Sequence, residues 1–160
     1  MSIPKKILVP VDFSSSSLAA LETAIELAGR FGASFELLHA WEPPPVYGPD
    51  VLVAGGALLY AELEDHTRRA AGKEMQELVE RLQRRGLRDV RARIERGNPA
   101  SVILDVAAKN DFDMIVMGTH GRTGFSRFLA GSVAEKVVRL AAGPVLTVRH
   151  PEAAGAFWVV

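Results

Sequence analysis

An α/β domain built on a parallel sheet with helices on both faces is the fold class this sequence predicts. Two observations predict it. Strand-like apolar runs alternate with helix-like segments along the chain, strand then helix, with only the helix after the fifth strand missing. Such alternation means right-handed crossovers and parallel strands. The second observation is that Ile7-Leu8-Val9-Pro10-Val11 and Met114-Ile115-Val116-Met117 are continuously apolar. Strands covered on both faces read that way, whereas a half-exposed strand alternates. Sheet and helices together make a single three-layer α/β/α domain.

Each element has its own local reason. The run from Ile7 to Val11 is the first strand, ended by Asp12, and Ser14 to Ser17 supply candidate N-caps for a helix. Leu18, Leu21, Ile25 and Ala28 recur at helical spacing, and Gly32 stands past the end. Phe35 to Trp41 reads as the second strand. Glu42 to Gly56 is a Pro/Gly-rich loop, because three consecutive prolines exclude a helix interior or a central strand. A long helix is expected from about Ala57 to Arg85, stopped by Gly86, with Met75, Leu78 and Leu82 inward. Leu87 to Glu95 reads as a more exposed strand. Asn98-Pro99 opens a helix, a cap followed by Pro at the first helical position, with Val102, Ile103, Val106 and Ala107 buried. Met114 to Met117 is the fourth strand and Gly118 to Gly131 a glycine-bearing loop. Ser132 to Ala142 is helical, Pro144 to Val148 is the last strand, and the domain spans 1–150. A tail over 151–160 ends in Phe157-Trp158-Val159-Val160.

Composition narrows the function. The 160 residues carry 19 Lys and Arg against 19 Asp and Glu, and 48% are hydrophobic. A domain of that size buries roughly 70% of its unfolded surface, so its core stands without staples. High apolar content with zero net charge excludes a disordered chain. It also argues against a nucleic-acid binder held by bulk electrostatics. There is no Cys, which removes disulfides, thiolate nucleophiles and Cys-ligated metal sites. No apolar run approaches a membrane span and the start is no signal peptide, so the expected location is the cytoplasm, away from membranes. The charge-dense stretch from Glu62 to Arg96 mixes both signs and reads as a solvated helix face and an edge strand.

In open parallel sheets ligands bind beyond the carboxyl ends of the strands, where the strand order reverses. Two strand ends are unusual here. Asp12 directly follows a buried strand, which suits either a ligand or metal contact or a cap on the next helix. Gly118-Thr119-His120-Gly121-Arg122-Thr123-Gly124 carries three glycines in seven residues and leads to Gly131-Ser132 at a helix start. Glycines let backbone approach a ligand closely, and free N–H groups at a helix start suit phosphate. The alternative is purely local: Ser132 with Glu135 three residues on makes a capping box. His120 within the loop is placed either to donate to a phosphate or to pack the loop, and His39 on the second strand reads as a core or rim residue. No GxxxxGK[ST], no GxGxxG after the first strand and no GxSxG occurs. This disfavours P-loop, dinucleotide and nucleophile-elbow chemistry.

The spacing Gly118-x2-Gly121-x9-Gly131-Ser132 resembles the nucleotide motif of ATP-binding universal stress proteins. Met114 to Arg122, Gly131 to Val137, the opening Ile7 to Ser14 and the last strand Gly143 to Val148 are similar to that family's most recognisable stretches. The resemblance runs from Ile3 to Arg149. It implies a Rossmann-like sheet, of the adenine nucleotide alpha hydrolase-like kind, with strand order 3-2-1-4-5 and Asp12 and Gly118 at the switch point.

The resemblance also implies roles for individual residues. Pro10, Val11 and Asp12 would line the cleft, and Ala40 would touch adenine. Met117 and Gly118 would sit on the ribose side. Gly121, Gly131, Ser132 and Val133 would contact phosphates, with His120 and Arg122 in the same loop. The cofactor would be ATP, or AMP or ADP. A Mg or Mn ion would bridge the phosphates, at most assisted by Asp12.

The function so implied is a nucleotide-dependent stress-response or signalling module acting on an unknown protein partner. No catalytic residue is assigned, and hydrolysis is slow or absent. Two alternatives stand beside it: an interaction module without nucleotide, and an enzyme transferring a phosphoryl or adenylyl group. In the implied order the strand 144–148 is a bare apolar edge without Lys, which invites pairing with a second copy. Many relatives dimerise there, so a homodimer is expected.

Overall fold

The computed structural model describes residues 3–43, 56–119 and 131–149. In chain order the elements are β1 (Lys6–Pro10), α1 (Ser15–Phe31), β2 (Ser34–Trp41), α2 (Gly56–Arg84) and β3 (Arg91–Arg96). They continue with α3 (Pro99–Lys109), β4 (Met114–Gly118), α4 (Ser132–Leu140) and β5 (Val145–Val148). All neighbouring strands pair in parallel, and the sheet order is β3-β2-β1-β4-β5. The predicted fold class, strand order included, is therefore observed.

The core explains the unbroken apolar strands. Ile7 and Val9 of β1, Leu37 of β2 and Val116 of β4 pack with Leu21, Met75, Leu78 and Leu82 from α1 and α2. Leu8, Leu38, Ile115 and Met117, their neighbours along the same strands, pack with Ile103, Val106 and Val137 from α3 and α4. Successive side chains of a strand leave by opposite faces, and both faces are covered. Each fully buried aliphatic side chain contributes about 1.5–3 kcal/mol.

Local signals set the helix ends. The Ser14 side chain accepts from Ser17 N–H and Gly32 ends α1 at φ 66°, while Asn98 caps α3 with Pro99 in its first turn. Several boundaries differ from the sequence reading by a residue, and three of the differences matter more. β3 begins at Arg91, not Leu87. Leu87 and Val90 are apolar because they pack against the core as a connection, and Leu87 N–H bonds back to Leu82 O at 3.2 Å beyond Gly86, whose φ is 94°. α4 stops at Leu140, two residues early, and Gly118 is the last residue of β4 instead of the first of a loop.

The mixed charges of α2 form exposed pairs one turn apart, Arg68 and Arg69 with Asp65, Lys73 with Glu77, and Arg84 with Glu80. Pairs of this kind contribute a few tenths of a kcal/mol each. No helix among the described residues is long and apolar enough to cross a membrane. His120, Gly121, Arg122, nearly all of the proline-rich loop and the tail 151–160 lie outside the described residues.

Candidate functional site

The strand order reverses between β1 and β4, and a crevice opens beyond their carboxyl ends. Its floor and walls include Pro10, Val11 and Asp12 after β1, Ala40 at the end of β2, and Met117 and Gly118 on β4. Gly131, Ser132 and Val133 at the start of α4 complete the predicted set within the described residues. The cavity of about 170 Å³ has room for roughly six waters.

On the β1 side the turn is tightly bonded. Asp12 Oδ1 accepts from Ser14 N–H at 3.1 Å and from the Ser14 hydroxyl at 2.5 Å. Ser17 Oγ accepts from Asp12 N–H at 3.3 Å and donates to Ser14 O at 3.0 Å. Asp12 is thus not the cap of α1; Ser14 is, and Asp12 holds the capping residue in place. Phe13 completes the turn at φ 64°, a left-handed conformation costing roughly 1–3 kcal/mol for a non-glycine residue. Its ring lies 4.7 Å from the His39 ring.

On the β4 side Gly118 does two things. It lines the crevice, and it lets α1 approach. A Cβ there would fall 2.5 Å from Ser16 Oγ and 2.7 Å from the Ser16 carbonyl carbon. Thr119 N–H then bonds Val148 O at 3.0 Å, and Gly131 N–H bonds Thr119 O. Thr119 and Gly131 are therefore joined where the chain leaves β4 and returns to α4.

The helix start differs from the capping-box alternative. Gly131 is the N-cap, no side chain caps the helix, and Ser132 is already its first residue. Glu135 N–H bonds Gly131 O at 3.0 Å in the ordinary helical pattern. The first N–H groups of α4 are orphans of the helical ladder and lack a side-chain cap beside the crevice. The positive end of the helix dipole lies there too.

Sequence reasoning missed Ser17, Leu38, Pro99, Ile103, Thr119 and Ala134, which also line the crevice. Pro99 and Ile103 were legible as a helix start and a buried stripe, but not as a wall of this cavity. Asp12 is the one carboxylate among the described lining residues. No group of three or more acidic or histidine side chains able to hold a metal occurs among the described residues.

The fold is a doubly wound α/β domain with a crevice at the switch point between β1 and β4. The sequence profile of the Universal stress protein family matches residues 4–149, and the chain belongs to that family. It is 36% identical over 148 residues to Universal stress protein MJ0531 of Methanocaldococcus jannaschii, covering 92% of this chain and 84% of that protein. Among solved structures, universal stress protein UspA from Lactobacillus plantarum superposes with a TM-score of 0.79 at 26% identity, covering 93% of this chain and all of that one. A universal stress protein solved in complex with cAMP shares the fold, with a TM-score of 0.57 at 23% identity over 92% of this chain and 98% of that one.

Proposed function

We propose that this chain is an adenine-nucleotide-binding module that signals through its nucleotide-dependent conformation or assembly, with ATP as the first ligand to test. The observation that carries this reading is the start of α4. A glycine N-cap without a side-chain cap opens onto a switch-point crevice whose other wall bears Asp12. Backbone N–H groups and the helix dipole favour the negative charge of phosphate at such a terminus. The apolar side of the crevice, with Leu38, Ala40, Ile103 and Met117, suits a flat base. The motif Gly118-x2-Gly121-x9-Gly131-Ser132 supports the same ligand.

Asp12 is the one candidate base among the described lining residues, and Ser14 occupies its Oδ1. A binding module is therefore favoured over a transferase. A homodimer through β5 belongs to this reading: Leu146 is exposed on that edge strand, and Val138 and Leu140 are exposed on the neighbouring α4.

The test is mass spectrometry of whatever denatured, freshly purified protein releases, followed by calorimetric titration with ATP, ADP and AMP. Recovery or titration of an adenine nucleotide supports the reading. Protein that neither carries nor binds one leaves the pure interaction module. Turnover of about 1 s⁻¹ or faster, an ordinary enzymatic rate, replaces the module with an enzyme.

A further inference from the structure

His39 reaches the site from the other side of the sheet. Leu38 and Ala40, its neighbours on β2, line the crevice, and alternation along the strand sends His39 to the opposite face. There its ring stacks against Phe13 at a tilt of 39°. Its Nδ1 lies 2.7 Å from Val11 O. A carbonyl only accepts, so Nδ1 carries the proton and donates.

That bond stands where the ladder would otherwise continue. Among the described residues the last backbone rung between β1 and β2 runs from Val11 N–H to Leu38 O at 2.8 Å. In a regular parallel pair the next rung would join Ala40 N–H to Val11 O. The imidazole takes that acceptor instead. β1 leaves the sheet at this oxygen, Asp12 turns into the crevice, and Phe13 closes the turn against the same ring.

We propose that His39 is a positioning residue for the nucleotide site, an inference that rests on the reading above. By capping Val11 O it ends the β1–β2 ladder one rung early. This sets the course of Asp12 and keeps the Ala40 N–H directed at the crevice as a donor for the ligand. His39 touches no ligand itself; it acts through Val11 and Phe13.

The test compares H39L, H39N and H39Q. Asparagine places its amide nitrogen where Nδ1 stands, glutamine does not, and leucine removes the donor. ATP affinity of the folded protein should fall about tenfold in H39L, the loss of one well-placed hydrogen bond. H39N should recover most of it and H39Q should not. Amide hydrogen exchange, read without nucleotide, should show Ala40 gaining protection in H39L as its N–H turns to the vacated Val11 O. H39N should keep the wild-type pattern.

A merely structural histidine would lower the unfolding temperature and leave the affinity of the folded fraction and the Ala40 amide unchanged; that outcome overturns the proposal. If the wild type binds no nucleotide, the functional reading fails. The Ala40 amide then still decides whether His39 sets the ladder's end. Should H39L not fold, the contrast between H39N and H39Q carries the same decision.

Discussion

Gly118 and Ser16 meet backbone to side-chain position: a Cβ on Gly118 would lie 2.7 Å from the Ser16 carbonyl carbon and 2.8 Å from its oxygen. Neither atom is the end of a flexible side chain, so nothing yields cheaply. Gly118→Ala should therefore push α1 away from the end of β4. We expect a loss of about 1–3 kcal/mol, the usual range for overpacking. Urea unfolding measures it, and a stability equal to wild type would contradict the close approach.

Gly131 sits at φ −55° and ψ 150°, a conformation any residue adopts. Gly131→Val should consequently fold, yet place a branched side chain beside the crevice at the start of α4. ATP affinity is expected to drop by about tenfold or more, which is about 1.4 kcal/mol. Titration of the folded variant checks this, and an unchanged affinity would remove the phosphate from that helix start.

Asp12→Ala tests the second wall. If Asp12 assists a phosphate-bound ion, its loss should weaken ATP more with Mg²⁺ present than with a chelator. An equal loss in both conditions would assign Asp12 to the base or sugar. Asp12 also holds the capping Ser14 through two hydrogen bonds, so the unfolding free energy should fall as well, by at least the roughly 1 kcal/mol that losing a cap costs.

Arg85, the residue after α2, and Glu22 of α1 meet through two parallel contacts, the second at 2.7 Å. The hydrogen bond and charge of Arg85 hold the Glu22 carboxyl below the usual carboxylate range. A group with a lowered folded-state pKa adds stability above its ordinary pKa and loses it as pH falls through the lowered value. Both side chains are about half exposed, so solvent screening limits the contribution to at most about 1 kcal/mol. The unfolding curves of wild type and Glu22→Gln should differ near neutral pH and converge in acid. A gap that widened on acidification would be the wrong sign.

Leu146→Lys places a charge in the middle of β5, at a side chain already 37% exposed. In the proposed dimer it should convert the protein to monomer, read by light scattering over a concentration series. A dimer of unchanged mass would move the interface elsewhere, and a wild type monomeric at micromolar concentration would dispose of it.

Much of this protein is legible one segment at a time. The continuous apolar runs, the helical stripe Leu18, Leu21, Ile25 and Ala28, the Asn98-Pro99 start and the glycine stop at Gly32 are local signals. They act over a few residues, and each produced its element. The glycine spacing after β4 likewise pointed to the crevice, because backbone freedom is written in residue type.

Tertiary structure alone decided the rest. Leu87 and Val90 have a strand's composition but serve as a packed connection, since apolar content does not reveal the partner. Ser132 and Glu135 match a capping box that the fold does not use: Gly131 is the N-cap, without a side-chain cap, and Ser132 is the first helical residue. That His39 ends the β1–β2 ladder, that Gly118 admits Ser16, and that Pro99 and Ile103 wall the crevice depend on contacts between distant segments. Local propensity sets which elements form. Which of their faces and ends meet is set by burying both sides of one sheet, and the site exists only where those ends converge.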